Sequence, residues 1–296
     1  MAVVAIVPVH GRSPYLEGAL EALLGQEPAP DEVVVVDDGS PEPVAVPGGR
    51  CRLVRRDRRG GPAAARQTGL DAAPAADLVA FADADDRWLP GKLAAQLEAL
   101  AAHPGAALCF GRAVVVGPIG RPTGEQWEEL APGVHSAAEL GPLLYERNPI
   151  PASSVVVRRA ALEDAGGFAG PAALGSDWDL WLRLARGGAS FVYEPRAAIE
   201  YRRHPGGVTA DVARLAEASL AIHAEHASLV SPEAAERARA RDLAALARGR
   251  VRRRDYAGAR AALREAGARA PRERLLAALL HVPGARGLLG RRDPYR

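Results

Sequence analysis

Val33-Val34-Val35-Val36-Asp37-Asp38-Gly39-Ser40 is an unbroken β-branched run that stops at two carboxylates and a turn. A strand apolar on both faces has no solvated side, so it belongs inside a parallel sheet covered by helices. Upstream, Val3 to Val7 reads as a first strand, and Leu16, Ala19, Leu20, Leu23 and Leu24 recur at helical spacing behind Ser13-Pro14. That pattern predicts a helix capped at Ser13-Pro14 and closes one βαβ unit. The alternation continues downstream with a strand over Arg52 to Val54, a helix over Pro62 to Ala72, a strand over Leu78 to Ala82 and a helix over Pro90 to Ala101. The fold class is α/β, a mainly parallel sheet flanked by helices. Ligands are expected at the C-terminal strand ends, in the loops that start at Pro8, Asp37 and Asp83.

Composition narrows the function classes. The chain has 296 residues, 48% hydrophobic and 25% charged, which excludes a disordered or fibrous protein. It holds no run of about 18 apolar residues, and Ala2-Val3-Val4-Ala5-Ile6 lacks a basic leader, so neither a spanning helix nor a secretory signal is predicted. Cys51 and Cys109 lie in apolar contexts without CxxC spacing, which favours a reducing cytoplasm over a metal knuckle or disulfide framework.

The charge is asymmetric. Residues 231–296 carry 17 Arg against seven acidic side chains, whereas the rest of the chain carries 21 basic and 29 acidic ones. From Asp211 onward Ala, Leu, Arg and Glu fall at helical spacing, with breaks near Ser231-Pro232, Gly267 and Pro271. We therefore expect a first domain over residues 1–210 and an Arg-rich helical region over 211–296. Arg254 to Arg260 followed by Leu263 resembles one tetratricopeptide hairpin, but no second copy follows at a fixed period, and plain packing helices are the simpler reading. Arg286, Arg291, Arg292 and Arg296 around Leu288 and Leu289 would suit a weak contact with an anionic membrane surface, against the blander reading of a fraying terminus. No nucleic-acid partner is expected.

The second predicted strand end, Phe81-Ala82-Asp83-Ala84-Asp85-Asp86-Arg87-Trp88, crowds three carboxylates. Like charges repel, and a bound divalent cation relieves them at least cost. All-oxygen ligation favours Mg²⁺ or Mn²⁺ held with substrate phosphates, so a nucleoside diphosphate is the natural partner. Neither GxGxxG nor GxxxxGK[ST] is present; Pro8-Val9-His10-Gly11-Arg12 follows the first strand instead. Gly60-Gly61-Pro62 would start a helix with free amides and bring Arg66 toward a phosphate or base, against the equally plain reading of Arg66 as an ordinary surface arginine. In Gly175-Ser176-Asp177-Trp178-Asp179-Leu180-Trp181-Leu182-Arg183, an acid at a helix start sits among large apolar groups, which suits a general base as well as a dipole-favoured terminus. Tyr201-Arg202-Arg203-His204 places an imidazole beside two guanidinium groups, fit for phosphate or metal, although a lone histidine is more often structural.

Taken in order, these residues resemble the inverting glycosyltransferases of family 2, which have the GT-A fold. The pieces are Val7-Pro8-Val9, Asp37 to Ser40, Gly61-Pro62 with Ala65-Arg66, the DxD at Asp83 and Asp85, Asn148 with Ser153-Ser154, Gly166-Gly167-Phe168, Asp177 to Arg183, and Arg203-His204. The resemblance spans about residues 2 to 210 and implies that Pro8, Val9 and Asp38 hold the nucleotide base, assisted by Arg66. Asp83 would meet ribose or metal, Asp85 the metal on the diphosphate, His204 the metal or diphosphate, and Asp177 would be the catalytic base. Asp86 competes with Asp85 as the closer ligand. His10-Gly11, Gln67 and Ser176 depart from the family's usual Tyr-Asn, Asn and Glu, which bears on specificity.

The implied reaction moves a sugar from a nucleoside-diphosphate donor, a UDP-sugar by preference, to a hydroxyl of a glycan, lipid-linked or small-molecule acceptor. Asp177 takes the proton in a single inverting displacement, aided by Mn²⁺ or Mg²⁺. The expected location is the cytoplasm, with room for peripheral contact at the inner face of the membrane. Two other readings compete: a sugar nucleotidyltransferase, which would need a Gly-rich basic loop after the first strand, and a non-catalytic scaffold on a transferase fold.

Overall fold

The structure is a computed structural model that describes residues 1–127, 130–168, 174–207, 211–267 and 278. The chain divides into two compact units, Met1–Arg203 and His204–Arg296. The first runs β1 (Val3–Val9), α1 (Leu16–Leu24), β2 (Glu32–Asp37), β3 (Cys51–Arg55), α2 (Gly61–Ala72), β4 (Leu78–Phe81), β5 (Arg87–Trp88), α3 (Lys92–Ala102), β6 (Ala106–Val116), β7 (Pro122–Gln126), β8 (Gly133–His135), α4 (Ala137–Glu146), β9 (Val155–Arg158), α5 (Arg159–Asp164), α6 (Ser176–Arg186) and β10 (Ser190–Arg202).

Among the described residues ten strands form one sheet in the order β3-β2-β1-β4-β9-β6-β10-β5, with β7 paired to β6 and β8 to β10. Strands β3, β2, β1 and β4 are parallel neighbours, and β10 runs parallel to β6. Strand β9 is antiparallel to both β4 and β6, which makes the sheet mixed at its middle. From β1 the chain steps outward to β2 and β3, then returns across β1 to β4. The strand order reverses there, and in sheets of this kind the ligand crevice lies beyond the carboxyl ends of the strands at such a point, here β1 and β4.

The strands are buried because both faces are covered. Val3, Ala5 and Val7 share one cluster with Leu16, Leu20 and Leu23 of α1 and Leu93 and Leu100 of α3. On the opposite face α2 lies close enough that a Cβ on Gly69 would meet Ile6 Cγ2 at 2.5 Å and Val36 Cγ2 at 3.2 Å. Each fully buried leucine contributes about 2 kcal/mol, so these layers fix the strand ends that carry the polar residues.

One predicted feature is corrected. Helix α1 begins without a side-chain cap, and Ser13 Oγ instead donates to the Ala84 carbonyl at 3.4 Å while accepting from the Tyr15 amide at 3.3 Å. The hydroxyl ties two loops of the crevice together in place of capping.

In the second unit α7 (Val212–Glu225), α8 (Pro232–Arg252) and α9 (Tyr256–Glu265) pack around Ala213, Ala216, Leu246, Ala247, Ala259 and Leu263. Ser231 caps α8 with Pro232 in its first turn, and Asp255 caps α9 through the Gly258 amide at 2.9 Å. Small residues allow close approach: a Cβ on Gly249 would meet the Ala213 backbone at 2.5 Å. Among the described residues no helix is long and apolar enough to cross a membrane. The arginines proposed for membrane contact, Arg286, Arg291, Arg292 and Arg296, lie outside the described residues.

Candidate active site

The loops after β1, β2 and β4 are stitched together at the crevice. Val9 is buried and its carbonyl accepts from the Asp38 amide at 2.8 Å, while Pro8, half-buried, pairs with Val36 across the sheet. The Gly11 amide donates to Ser40 Oγ at 2.8 Å, and His10 Nδ1 lies 2.9 Å from the Asp38 carbonyl. Gly39, at φ +66°, passes beneath the backbone of Arg58 and Arg59, where a Cβ would come within 2.6 Å. Only glycine fits that turn.

Asp37 and Asp38 are both buried and both engaged. Asp37 accepts from the Ser40 amide at 2.9 Å and from Arg55 at 3.0 Å. Burial pushes its carboxyl upward, but the Ser40 and Val44 hydrogen bonds and the Arg55 charge win, leaving it below the usual range. Asp38 accepts from the Gly60 amide at 2.9 Å and the Gly61 amide at 2.7 Å, with Arg56 Nε 2.9 Å away, near enough for an ion pair though misaligned for a hydrogen bond. This corrects an expectation. The Gly60 and Gly61 amides are taken by Asp38, so these two are not free to cradle a phosphate.

The three carboxylates after β4 divide their roles. Asp83 pairs with Arg66 of α2 at 2.5 Å, and its amide donates to Ser153 Oγ at 2.9 Å. Asp86 turns inward: it accepts from Ser153 Oγ at 2.5 Å and from the Arg202 amide at 2.9 Å, and it is 4% exposed. Burial, with the Asp85 and Asp83 charges adding, raises its carboxyl well above the usual range. Asp85 stays partly exposed, and its backbone carbonyl accepts from Arg202 Nε at 2.9 Å. Both oxygens of Asp86 are thus committed within the protein, to Ser153 and the Arg202 amide. Among the described residues no group of three or more His, Cys, Asp or Glu side chains is placed to hold a metal ion. Charge relief comes in part from Arg66 and hydrogen bonds.

Arg66 is 5% exposed; burial opposes its charge, but Asp83, Asp177 and Asp86 outweigh that and raise its guanidinium above the usual range. Its Nε is buried without a hydrogen-bond partner among the described residues. Its guanidinium carbon lies 5.9 Å from the Phe168 ring centroid.

Asp177 arrives from far along the chain, in the first turn of α6 behind Gly175 at φ +69°. Both tryptophans of that helix are buried and anchored, Trp178 Nε1 to the Leu144 carbonyl at 2.5 Å and Trp181 Nε1 to the Ile150 carbonyl at 3.1 Å. Burial pushes the Asp177 carboxyl above the usual range, the Asp83 charge adds to this, and Arg66 and the Trp178 amide oppose it. Asn148 Nδ2 donates to Asp177 Oδ2 at 3.2 Å. Asp179, the neighbouring acid, is 1% exposed and paired with Arg183 at 3.0 Å. Arg183 in turn donates to the Ala165 and Gly167 carbonyls, fastening the Gly166-Gly167-Phe168 turn, whose Phe168 amide donates to Gln67 Oε1 at 2.8 Å. Asp179 is thus a structural anchor.

Asp83, Arg66 and Asp177 therefore converge, with Asp85 on the same loop as Asp83, and Pro8, Val9 and Asp38 line the adjoining strand ends. His204 is the first residue of the second unit, where its carbonyl accepts from the Gly207 amide at 3.0 Å. Asn148 and Ser153 stand out in the sequence only as pieces of the family pattern; their partners, Asp177 and Asp86, are set by the fold.

Comparison with known proteins places this site in context. Residues 4–162 match the model of Glycosyl transferase family 2. The chain is 38% identical over 97 residues, 30% of each chain, to Succinoglycan biosynthesis protein ExoW of Rhizobium meliloti (strain 1021). It is 36% identical over 98 residues to Succinoglycan biosynthesis protein ExoO of the same organism, covering 31% of this chain and 28% of that one. These matches span less than a third of either curated relative. In fold it is similar to S. aureus TarS 1-349 in complex with UDP-GlcNAc, at TM-score 0.60 and 17% identity over 97% of this chain and 92% of that one. It is also similar to the mannosyltransferase PcManGT from Pyrobaculum calidifontis in complex with GDP-Man and Mn²⁺, at TM-score 0.56 and 20% identity over 97% and 86% of the two chains. With the family model matching more than half of its length, the chain belongs to glycosyl transferase family 2.

Proposed function

We propose that the protein is an inverting glycosyltransferase that moves a sugar from a nucleoside-diphosphate donor, a UDP-sugar in the first instance, to an acceptor hydroxyl. The observation that carries this reading is the meeting of Asp177 with Arg66 and Asp83 at the reversal point of the sheet. Asp177 is the general base: partly desolvated, balanced by Arg66, and seated at a helix N-terminus that favours the carboxylate. It takes the proton as the acceptor oxygen attacks the anomeric carbon from the face opposite the departing nucleotide. One displacement inverts the configuration and needs no covalent nucleophile.

The donor lies along the strand ends, its base against Pro8, Val9 and the Asp38 loop and its ribose beside Asp83. Arg66 Nε, buried with no protein partner among the described residues, is a donor available to an anionic oxygen of that ligand. Asp85 carries a hard carboxylate oxygen of the kind that would hold Mn²⁺ or Mg²⁺. Mn²⁺ or Mg²⁺ held by Asp85 would neutralise charge on the departing diphosphate. The UDP-GlcNAc and GDP-Man complexes of the two fold neighbours support a nucleotide-sugar donor. A cytoplasmic setting is part of the same proposal.

Incubation with UDP-, GDP- and TDP-sugars and Mn²⁺ tests the reading. Slow release of nucleoside diphosphate, accelerated by an acceptor, is expected. Pyrophosphate-dependent turnover would indicate a nucleotidyltransferase, and no release from any donor would indicate a scaffold.

A further inference from the structure

Asp177 is held from one side by a short segment that follows α4. Asn148, Pro149 and Ile150 are fixed at three points: Trp127 Nε1 donates to the Pro149 carbonyl at 2.7 Å, Trp181 Nε1 donates to the Ile150 carbonyl at 3.1 Å, and the Ile150 amide donates to Asn148 Oδ1 at 3.0 Å. The last contact decides which way the side-chain amide points. A backbone N–H can only donate, so the side-chain oxygen faces Ile150 and the NH₂ faces Asp177 Oδ2, 3.2 Å away. The reverse orientation would set donor against donor at Ile150 and oxygen against carboxylate at Asp177. Two costs at once exclude it.

We propose that Asn148 is a positioning residue for the base: its amide, locked by Ile150 and carried on a segment clamped by Trp127 and Trp181, aims the Asp177 carboxylate and keeps it ionised. The inference rests on Asp177 being the base of the reaction proposed above. A carboxylate has about four lone-pair directions, and Asn148 occupies one of them on Oδ2. That fixes the rotation of the carboxylate about its Cβ–Cγ bond. A donor to the charged form also favours that form, which opposes the upward push of burial. Among the described residues, charged or titratable groups that act on Asp177 include Arg66 on α2, Asp83 after β4 and Tyr201 on β10. Of these Arg66 favours the ionised base, and the neutral donor from Asn148 acts in the same direction.

The test compares wild type with Asn148→Ala and Asn148→Asp, each also in an Asp177→Asn background, by kcat and donor KM across pH. Donor binding by calorimetry and thermal melting report folding. Asn148→Ala is expected to lower kcat about tenfold at pH 7 with donor KM unchanged, and to move the acid limb of the kcat profile to higher pH. Asn148→Asp, nearly isosteric but acceptor-only when ionised, is expected to lose more at neutral pH. It carries the test by its pH profile if Asn148→Ala fails to fold. In the Asp177→Asn background the Asn148→Ala change should add no further loss to the residual rate. An unmoved acid limb, a KM effect without a kcat effect, or losses that add in the double variant would overturn the proposal. Full turnover by Asp177→Asn alone would instead overturn the base assignment, so the two failures are distinguishable.

Discussion

Arg66 and Asp83 form a 2.5 Å ion pair in which the guanidinium is 6% exposed and the carboxylate 31% exposed. The pair joins α2 to the loop after β4 and sets a fixed positive charge between Asp83 and Asp177. Breaking a fully buried pair costs about 3–5 kcal/mol; with Asp83 partly in water, Arg66→Met should destabilise the protein by a smaller amount, about 2 kcal/mol. Urea unfolding checks this figure. Donor affinity measured on the folded variant should fall as well, whereas Arg183→Met, which unfastens the turn at Gly167, should cost stability with less effect on donor affinity.

Lys92, the chain's single lysine, supplies a pH prediction. It is fully buried, donates to Gln96 Oε1 at 2.5 Å and lies 3.7 Å from the Trp88 ring centroid. Burial lowers its ammonium to about 7, opposed by the nearby Cys109, whose thiol burial pushes up to about 12. The folded value lies below the unfolded one, so from about pH 7 to 8.5 the unfolded chain binds the extra proton at this site and the Lys92 contribution to stability rises with pH; at higher pH the buried Cys109, which keeps its proton only when folded, acts in the opposite sense. Below pH 7 the full cost of burying the cation is present. From pH 6 to 8 the urea midpoint should gain more in wild type than in Lys92→Met, and Lys92→Met should have the higher midpoint at pH 6.

Asp85 and Asp86 should separate cleanly. Asp85→Ala leaves too few hard oxygens for a cation that must also hold a diphosphate, so Mn²⁺-dependent UDP affinity should collapse with little change in melting temperature. Asp86→Ala removes the acceptor of Ser153 and of the Arg202 amide and should destabilise by about 1–3 kcal/mol through unsatisfied buried donors. Calorimetry of UDP with and without Mn²⁺, beside a thermal melt, reads both. Equal metal-dependent affinity in wild type and Asp85→Ala would remove Asp85 from the metal site.

Much of the frame was legible in the sequence. The strand and helix runs from Val3 to Ala102 fall within a few residues of their expected places, because strands buried on both faces and helices with one apolar stripe leave strong periodic signals. The second half of the sheet was not. Strands β6, β9 and β10 pair across long separations, β9 in the opposite direction, and nothing local in Val155–Arg158 specifies its place between β4 and β6. The same limit applies at the site. Asp83, Asp85 and Asp177 stand out as carboxylates at strand and helix ends, but that Asp86 is spent on Ser153 and Asp179 on Arg183 depends on contacts the fold creates. Gly60-Gly61 reads as an open anion cradle until Asp38 is seen to fill it.

Whether Asp177 is the general base of sugar transfer is decided by single-turnover transfer by Asp177→Asn at saturating donor. The amide keeps the size of the carboxylate and cannot accept the proton. Donor affinity should stay near wild type while the transfer rate falls by about 10² or more. An Asp177→Asn protein that transfers at the wild-type rate would contradict it.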